Sequence, residues 1–139
     1  MEYADGAHMW VCIPSISALE YHPFSITTIA DDSVWQSHVL LHCKVFKRWT
    51  QRLEKAARTQ HVLPARVQGP FDGETLTVAA LARYSLITVV AGGSGLAGVM
   101  AMLRRIELLR RDTLVEIPPV TLVFSARSAG ELQVRLYFH

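Results

Sequence analysis

The feature that most constrains the fold of this chain is a run of twenty uncharged residues, from Tyr84 to Leu103. A helix of about 20 apolar residues is long enough to cross a membrane. Here, however, the first half is β-branched and the centre reads Gly92-Gly93-Ser94-Gly95, which would leave backbone groups unsatisfied in lipid. We therefore expect no membrane helix, but a buried strand over Leu86 to Ala91, a glycine turn and then a helix.

The second half of the chain has the pattern of an α/β unit. After the glycine turn, apolar residues recur at helical spacing from Val99 to Leu109, and a second apolar strand is predicted over Val120 to Ser125. A strand, a helix and a strand in this order form a parallel sheet with a right-handed crossover. A short helix near Thr77 to Arg83 and a strand over Leu132 to Phe138 complete the predictions for this half.

The first half reads as short strands separated by turn residues, which is typical of an antiparallel sheet or barrel. A helix capped by Thr50 interrupts the strands, and Gly69-Pro70-Phe71-Asp72-Gly73 ends the pattern. We therefore predict two domains, a partial antiparallel β-barrel over residues 1–72 and a partial Rossmann-like α/β domain over residues 73–139. The predicted strands of the first domain are Met9 to Ile13, Phe24 to Ile29, His38 to Phe46 and Ala65 to Gln68.

Composition excludes several classes of partner. The 14 Lys and Arg residues nearly balance the 12 Asp and Glu residues without any block of like charge, so we expect no nucleic acid and no broad membrane footprint. Cys12 and Cys43 lack the spacing of a zinc cage or a disulfide scaffold. His38 and His42 would lie about 13 Å apart on the predicted strand, so we expect no metal site.

The glycine turn fits the dinucleotide fingerprint G-x-G-x-x-G over residues 93–98, and it lies after a predicted strand and at a helix start. Gly93 would permit the tight turn, Gly95 would let a pyrophosphate approach the backbone beside Ser94, and Gly98 would let the helix pack close to its strand. Backbone N–H groups at the helix N-terminus would then face the anion. The alternative is a glycine-rich turn that serves packing alone.

The end of the second parallel strand indicates which nucleotide would bind. An NAD site carries an acidic residue there, whereas this strand ends Phe124-Ser125-Ala126-Arg127. The planar guanidinium of Arg127 can bind the oxygens of a 2′-phosphate in a bidentate manner. This favours NADPH over NADH, the alternative being that Arg127 is a surface residue at a strand end.

Five motifs follow one another along the chain. They are His22-Pro23-Phe24-Ser25-Ile26 preceded by Ser17-Ala18-Leu19-Glu20-Tyr21, Trp49-Thr50 before a helix, Gln68-Gly69-Pro70-Phe71, Val90-Ala91-Gly92-Gly93-Ser94-Gly95, and Phe124-Ser125-Ala126-Arg127. Taken in this order, they resemble the motifs of the ferric reductase and NADPH oxidase family, and the resemblance covers nearly the whole chain, from the strand around Trp10 to Arg127. It implies an FAD on the barrel and an NADPH on the α/β part, as in a ferredoxin-NADP reductase-like module.

The resemblance also implies roles for individual residues. His22 would hold a phosphate or ribose position of FAD, Pro23 and Phe24 would shape the flavin wall, and Thr50 would meet the diphosphate at a helix N-terminus. Ser25 would be the catalytic residue, because its hydroxyl can donate to or accept from the flavin N5. The expected cofactor-binding residues are His22, Pro23, Phe24, Ser25, Thr50, Gly93, Ser94, Gly95, Gly98 and Arg127.

A member of this family would be an FAD-dependent NADPH oxidoreductase. It would pass electrons from NADPH through FAD to a haem-containing transmembrane domain, at the cytoplasmic face of a membrane, and from there to ferric chelates or oxygen. This chain departs from relatives in having Ala97-Gly98 where many have Thr-Pro, and Lys47-Arg48 where Gly-Asp is frequent. It also has none of the Cys-Gly-Pro type motif with which relatives end.

The last departure leads us to expect a fragment. Because the predicted barrel and the predicted parallel sheet are both incomplete while 50% of the residues are hydrophobic, we expect it to be marginally stable, to bind FAD poorly alone and to self-associate through exposed apolar surface. Two alternatives stay open at this point. One is a truncated, non-catalytic product with weak cofactor binding, and the other is a plain Rossmann-type NADP-binding domain.

Overall fold

The computed structural model describes residues 3–29, 38–112 and 116–127, and strands in this part of the chain form two separate sheets. The first sheet is antiparallel, and the second is a parallel pair whose strands are joined through a long helix. The predicted fold class is therefore confirmed. The elements are β1 (His8–Cys12), β2 (His22–Ser25), α1 (Trp49–Ala57), β3 (Arg66–Phe71), α2 (Val78–Leu81), β4 (Ile87–Gly92), α3 (Leu96–Asp112) and β5 (Val120–Ser125).

The antiparallel sheet has β1 at its centre, with β2 and β3 on either side. His8 is opposite Ser25 on β2 and opposite Phe71 on β3, with a bulge between His8 and Trp10. The prediction that Gly69 begins a break is wrong, because β3 continues to Phe71. A proline is tolerated on an edge strand, where no partner needs its missing N–H, and a bulge absorbs the irregular backbone.

Two predictions for the segment after β2 are also wrong in detail. The strand predicted over Phe24 to Ile29 is displaced, since β2 ends at Ser25 and Ile26 forms only an isolated bridge with Leu41. The strand predicted over His38 to Phe46 does not form, because Leu41 makes only an isolated bridge with Ile26 and residues 42–46 are in no strand. The N-cap of α1 is Arg48 rather than Thr50.

The parallel pair agrees closely with the sequence. β5 has the predicted bounds and β4 is displaced by one residue. The helix predicted near Thr77 to Arg83 forms as the shorter α2, and Thr77 caps it by accepting a bond from the Ala80 N–H at 3.2 Å. β4 and β5 are in register from Ile87 opposite Val120 to Gly92 opposite Ser125. The strand predicted over Leu132 to Phe138 lies outside the described residues.

The uncharged run from Tyr84 to Leu103 is divided between β4, one 3₁₀ turn over Gly93–Gly95 and the start of α3. None of the helices in the described ranges is long and apolar enough to span a membrane. The strand, turn and helix predicted for this run are therefore confirmed.

The core is divided in the same way as the sheets. One cluster lies under the antiparallel sheet and α1, and two smaller clusters lie between α3, α2 and the parallel pair. The buried members of the first are Ala7, Met9, Val11, Ile13, Ile26 and Trp49, and those of the other two are Leu81, Ile106 and Ile117, and Ala91, Leu96 and Met100.

Candidate functional site

A cavity of about 670 Å³ lies where the end of β2 faces the carboxyl ends of β4 and β5. This volume is in the range of small-molecule sites, and the carboxyl edge of parallel strands is where such sites usually form. The cavity brings together residues that are far apart in the sequence. Its lining residues are Pro23, Phe24, Ser25, His42, Lys44, Phe46, Gly92, Gly93, Ser94, Ala97, Ser125 and Arg127.

The wall from β2 is held from behind by the antiparallel core. The ring of Phe24 packs against that core, with its centroid 6.0 Å from the Trp49 ring. Ser25 is fixed by its pairing with His8 on β1, and Pro23 on the same strand is exposed. This wall therefore presents an apolar ring and a hydroxyl side by side on a rigid strand.

The wall from the glycine turn is open backbone. Gly93 has a φ of +52°, which favours glycine, and a Cβ added at Gly93 or Gly95 would meet no atom within 4 Å. A ligand can therefore approach the backbone at both positions, as the fingerprint requires. Gly95 itself is not among the cavity-lining residues.

Gly98 serves a different purpose from the one that its place in the motif suggested. A Cβ at this position would lie 3.4 Å from the Ser25 Oγ and 3.8 Å from the Ser25 Cβ, and no atom of β4 is that near. The prediction that Gly98 packs α3 against its own strand is therefore corrected. The glycine instead brings α3 close to β2, so that the two halves of the chain meet beside the cavity.

The charged groups that line the cavity are cations. Lys44 and Arg127 both line it, and none of the described lining residues is an Asp or Glu. Burial, and then the positive charge of Arg104, lower the pKa of His42, so this lining imidazole is neutral at pH 7. A cavity with these groups favours an anionic ligand such as a phosphate ester.

His22 lies next to the cavity rather than in its lining. Its ring is tilted against Trp49, with 4.4 Å between the ring centroids, and its Nε2 is 3.9 Å from a carboxylate oxygen of Glu20. Within the described residues, His22 Nε2 and Trp49 Nε1 are buried without a hydrogen-bond partner. Since buried polar atoms are rarely left unpaired, these two nitrogens are where a ligand oxygen would be stabilising.

Thr50 also lies outside the lining, and its hydroxyl is occupied. Its Oγ1 accepts from the N–H groups of Phe46 at 2.8 Å and Lys47 at 3.2 Å, and donates to the Lys47 carbonyl at 3.1 Å. These three bonds use the hydrogen-bonding capacity of a hydroxyl. Thr50 therefore shapes the loop before α1, where Arg48 has a positive φ of 42°.

Six lining residues were not among the expected cofactor-binding residues. Gly92, Ala97 and Ser125 are close in sequence to residues that were, whereas His42, Lys44 and Phe46 lie in a segment for which no binding role was predicted. These last three follow one another at every second position, which places them on one side of an extended segment. That alternation was visible in the predicted strand, but nothing local indicated which side would face a ligand. The structure thus joins Pro23, Phe24, Ser25, Gly93, Ser94 and Arg127 in one cavity and leaves His22, Thr50, Gly95 and Gly98 around it.

Comparison with known families and proteins gives a consistent result. The FAD-binding domain family matches residues 1–91. The chain is 29% identical to ferric reduction oxidase 8, mitochondrial, of Arabidopsis thaliana over 98% of its length, and 26% identical to NADPH oxidase 1 of Mus musculus over 90%. These alignments cover only 19% and 21% of the relatives, so the chain spans about a fifth of their length.

Solved structures show the same fold at low sequence identity. Ferredoxin-NADP⁺ reductase from Plasmodium falciparum matches 94% of this chain with a TM-score of 0.63 and 11% identity, over 52% of that enzyme. A mutant of the same enzyme with 2′P-AMP matches 95% of this chain with a TM-score of 0.66 and 11% identity, over 53% of its length. This likeness concerns the fold alone.

Proposed function

Since this chain belongs to the FAD-binding domain family, in the ferric reductase and NADPH oxidase group, we propose that it binds FAD and NADPH and moves electrons from the nicotinamide to the flavin. The observation that carries the proposal is the single cavity lined by both Ser25 and the glycine turn. A nicotinamide and a flavin must meet for electrons to pass between them, and this cavity is where the two motifs meet.

The residues present fit a flavin on the β2 side. Phe24 offers an apolar ring and Ser25 a hydroxyl, while next to the cavity His22 Nε2 and Trp49 Nε1 have no hydrogen-bond partner within the described residues and could bond ligand oxygens. A bound flavin would supply the redox chemistry, accepting a hydride from the nicotinamide and releasing electrons singly. The protein then needs only to bind, orient and exclude water.

Ser25 is the residue we propose to contact the reacting part of the flavin. Its hydroxyl can donate or accept a hydrogen bond, so it can serve a ring nitrogen in either protonation state. Its position at the end of β2, where the pairing with His8 and the approach of Gly98 restrict it, gives that hydroxyl a defined location. Pro23 and Phe24 complete the wall.

We assign the nucleotide phosphates to the opposite wall. The open backbone at Gly93, Ser94 and Gly95 would hold the pyrophosphate at the start of α3. Arg127, at the end of β5, would bind the 2′-phosphate that distinguishes NADPH from NADH.

We assign the FAD diphosphate to the loop and the first turn of α1. His22 is tilted against Trp49, the first residue of this nine-residue helix, and Phe46, which lines the cavity, donates its N–H to Thr50 in the first turn. The contact would come from backbone N–H groups at the start of α1 other than those of Thr50 and Arg52, which donate to the carbonyls of Lys47 and Arg48, because the Thr50 hydroxyl already serves the loop.

We further propose that the electrons leave towards a haem-containing membrane domain of the longer parent protein, at the cytoplasmic face of a membrane, with ferric chelate or oxygen as acceptor. Residues 1–72 would carry the flavin and residues 73–139 the nucleotide. Support comes from the names of the relatives, which are ferric reduction oxidases and NADPH oxidases.

The experiment that tests the proposal is calorimetric titration of the purified chain with FAD and then with NADP⁺. The Gly95→Val variant should lose NADP⁺ binding and keep FAD binding, because its side chain fits the unliganded protein but fills the space for the pyrophosphate. Equal NADP⁺ affinity in variant and parent would contradict the nucleotide assignment. If the parent binds neither FAD nor NADP⁺ at the highest concentrations titrated, the proposed function is contradicted.

A further inference from the structure

Asp5 and Arg105 form an ion pair that is almost fully removed from solvent and separated by 100 residues of sequence. Their side chains are 1% and 9% exposed, and the Arg105 Nε–H donates to both carboxylate oxygens of Asp5, at 3.2 and 3.0 Å. The same carboxylate accepts from the Leu76 N–H at 3.1 Å, and the Asp5 carbonyl accepts from the Glu74 N–H at 3.0 Å. Asp5 thus connects the segment before β1, the segment before α2 and the middle of α3.

This pair is directly connected to the β2 wall of the cavity. Two residues after Asp5, the Ala7 carbonyl accepts from the Ile26 N–H at 2.8 Å, and the next residue, His8, is opposite Ser25 in the sheet. Asp5 is therefore linked to Ser25 through the backbone of Ala7 and His8.

The pair is connected to the other wall through α3. A Cβ added at Gly6, which has a φ of +74°, would lie 3.3 Å from the Met102 Cε and 3.6 Å from the Gly98 carbonyl. The segment after Asp5 therefore crosses α3 between Gly98 and Arg105, at the place where Gly98 approaches Ser25. At the start of this helix lies the glycine turn.

We propose that Asp5 and Arg105 are positioning residues, which set the separation between Ser25 and the glycine turn and thereby the distance between the two bound cofactors. This inference rests on the proposed function. Its physical reason is that the buried Asp5 carboxylate is held from two directions, by the charged Nε–H of Arg105 and by the Leu76 N–H, whereas loss of Asp5 or Arg105 removes the opposite charge that compensates its buried partner. A change of about 1 Å in the placement of reactants can alter a rate by about a hundredfold.

A cross-link between the two walls tests the separation without any cofactor. The distance of 3.8 Å between the Ser25 Cβ and a Cβ at position 98 equals the usual Cβ–Cβ distance in a disulfide, so Ser25→Cys with Gly98→Cys should form one on mild oxidation. Cys12 and Cys43 are present in every variant, and peptide mapping identifies the bond between positions 25 and 98.

Adding Asp5→Asn should slow this cross-link by about tenfold or more. The matched control is Glu107→Gln, which removes one negative charge from an exposed ion pair with Arg111 on the same helix, and it should leave the cross-linking rate unchanged. Parental rates in the Asp5→Asn variant would overturn the proposal.

The double variant Asp5→Asn with Arg105→Met separates positioning from stability, and it decides the matter if Asp5→Asn alone does not fold. Removing both charges relieves the uncompensated buried charge, so thermal stability should recover towards the parent. The cross-link should stay slow, since the directional bonds are absent. If the double variant regains both the thermal stability and the cross-linking rate of the parent, the Asp5–Arg105 pair only stabilises the fold, and the proposal is overturned.

Flavin reduction by NADPH gives the matching functional measurement in variants that retain the native Ser25 and Gly98. In the double variant FAD affinity should equal that of the parent, while the rate of flavin reduction falls about tenfold to a hundredfold. An unchanged rate would overturn the inference. If the parent cross-links but binds no FAD, the proposed function fails while the geometric link between the walls stands.

Discussion

The two walls of the cavity differ in how much support the chain itself provides. Behind the β2 wall lies a continuous core, in which Ile26 is fully buried and Trp49 is 3% exposed. The wall from β4 and β5 is covered by α3 on one face, whereas on the other face Val90 is 72% and Val123 is 50% exposed. Parallel sheets are normally covered on both faces. The comparison indicates that the β2 wall is held by packing within this chain, whereas the wall from β4 and β5 has exposed apolar side chains on one face in the part of the chain that the structure describes. Self-association through such a surface stays a prediction.

The largest effect that we expect is a loss of stability on substitution in the core behind β2, compared with substitution on the exposed face of β4. Ile26→Ala should lower the free energy of unfolding by about 2–5 kcal/mol, because it empties space in the core behind β2. Val90→Ala, the matched control on the uncovered sheet face, should change it by about 0.5 kcal/mol or less. Urea unfolding followed by tryptophan fluorescence measures both. Similar losses at the two positions would remove the distinction between the walls.

Arg127→Ala tests whether the wall from β4 and β5 distinguishes NADPH from NADH. We expect the binding free energy of NADPH to weaken by about 1.5–3 kcal/mol, the size of a hydrogen bond to a charged group, and that of NADH to change far less. Competitive titration with the two nucleotides measures the difference. The control is Arg83→Ala, which removes an exposed arginine outside the cavity lining. Equal losses for the two nucleotides would make Arg127 a structural residue.

Gly98→Val should push the two walls of the cavity apart, since its side chain would press on Ser25. Overpacking of this kind costs about 1–3 kcal/mol. We therefore expect weaker binding of both FAD and NADP⁺, unlike Gly95→Val, which affects the nucleotide alone. The two variants are compared by calorimetry with each ligand in turn. Loss of nucleotide binding alone in Gly98→Val would mean that the contact with Ser25 has no effect on the flavin side.

The smallest effect concerns pH and the half-buried His42. Burial and the charge of Arg104 lower its pKa below the ordinary 6.5, so as pH falls through 6.5 the unfolded chain takes up a proton that the folded chain does not. Stability should fall across this window until pH reaches the lowered pKa.

His42→Gln should flatten that part of the stability profile. The other cations near His42, Lys44 and Arg127 in the lining, are retained in the variant. His61→Gln, at an exposed position, is the control. The measurement is the midpoint of thermal unfolding at several pH values, and an unchanged profile in His42→Gln would contradict the assigned role of burial.

Local patterns predicted the nucleotide side better than the flavin side, for a physical reason. β5 and the helix after the glycine turn are defined by their own apolar periodicity, and β4 by a β-branched run, so short stretches of sequence were sufficient. The edge strand β3 continues through Gly69 because of its pairing with β1. The segment from His42 to Phe46 is in no strand, and its alternate side chains line the cavity instead. Both outcomes depend on contacts with distant parts of the chain.

In the candidate site, too, local motifs could be predicted but contacts between distant parts of the chain could not. His22, Ser25, Gly93 and Arg127 could be found from motif spacing, and the motif also identified Gly98. The neighbour of Gly98 could not be predicted, because Ser25 is 73 residues earlier in the chain. For Thr50, the motif indicated its place near α1 but not that the backbone of Phe46 and Lys47 would occupy its hydroxyl.

The proposal that flavin and nucleotide share one cavity is tested by the absorbance spectrum of the flavin, recorded while the purified chain at saturating FAD is titrated with NADP⁺. A single cavity shared by the two motifs predicts a saturable change in the flavin bands as the nucleotide binds next to it. Gly95→Val should retain the flavin spectrum and lose this change. If FAD and NADP⁺ both bind but the flavin spectrum stays the same, the two ligands occupy separate sites and the account is contradicted.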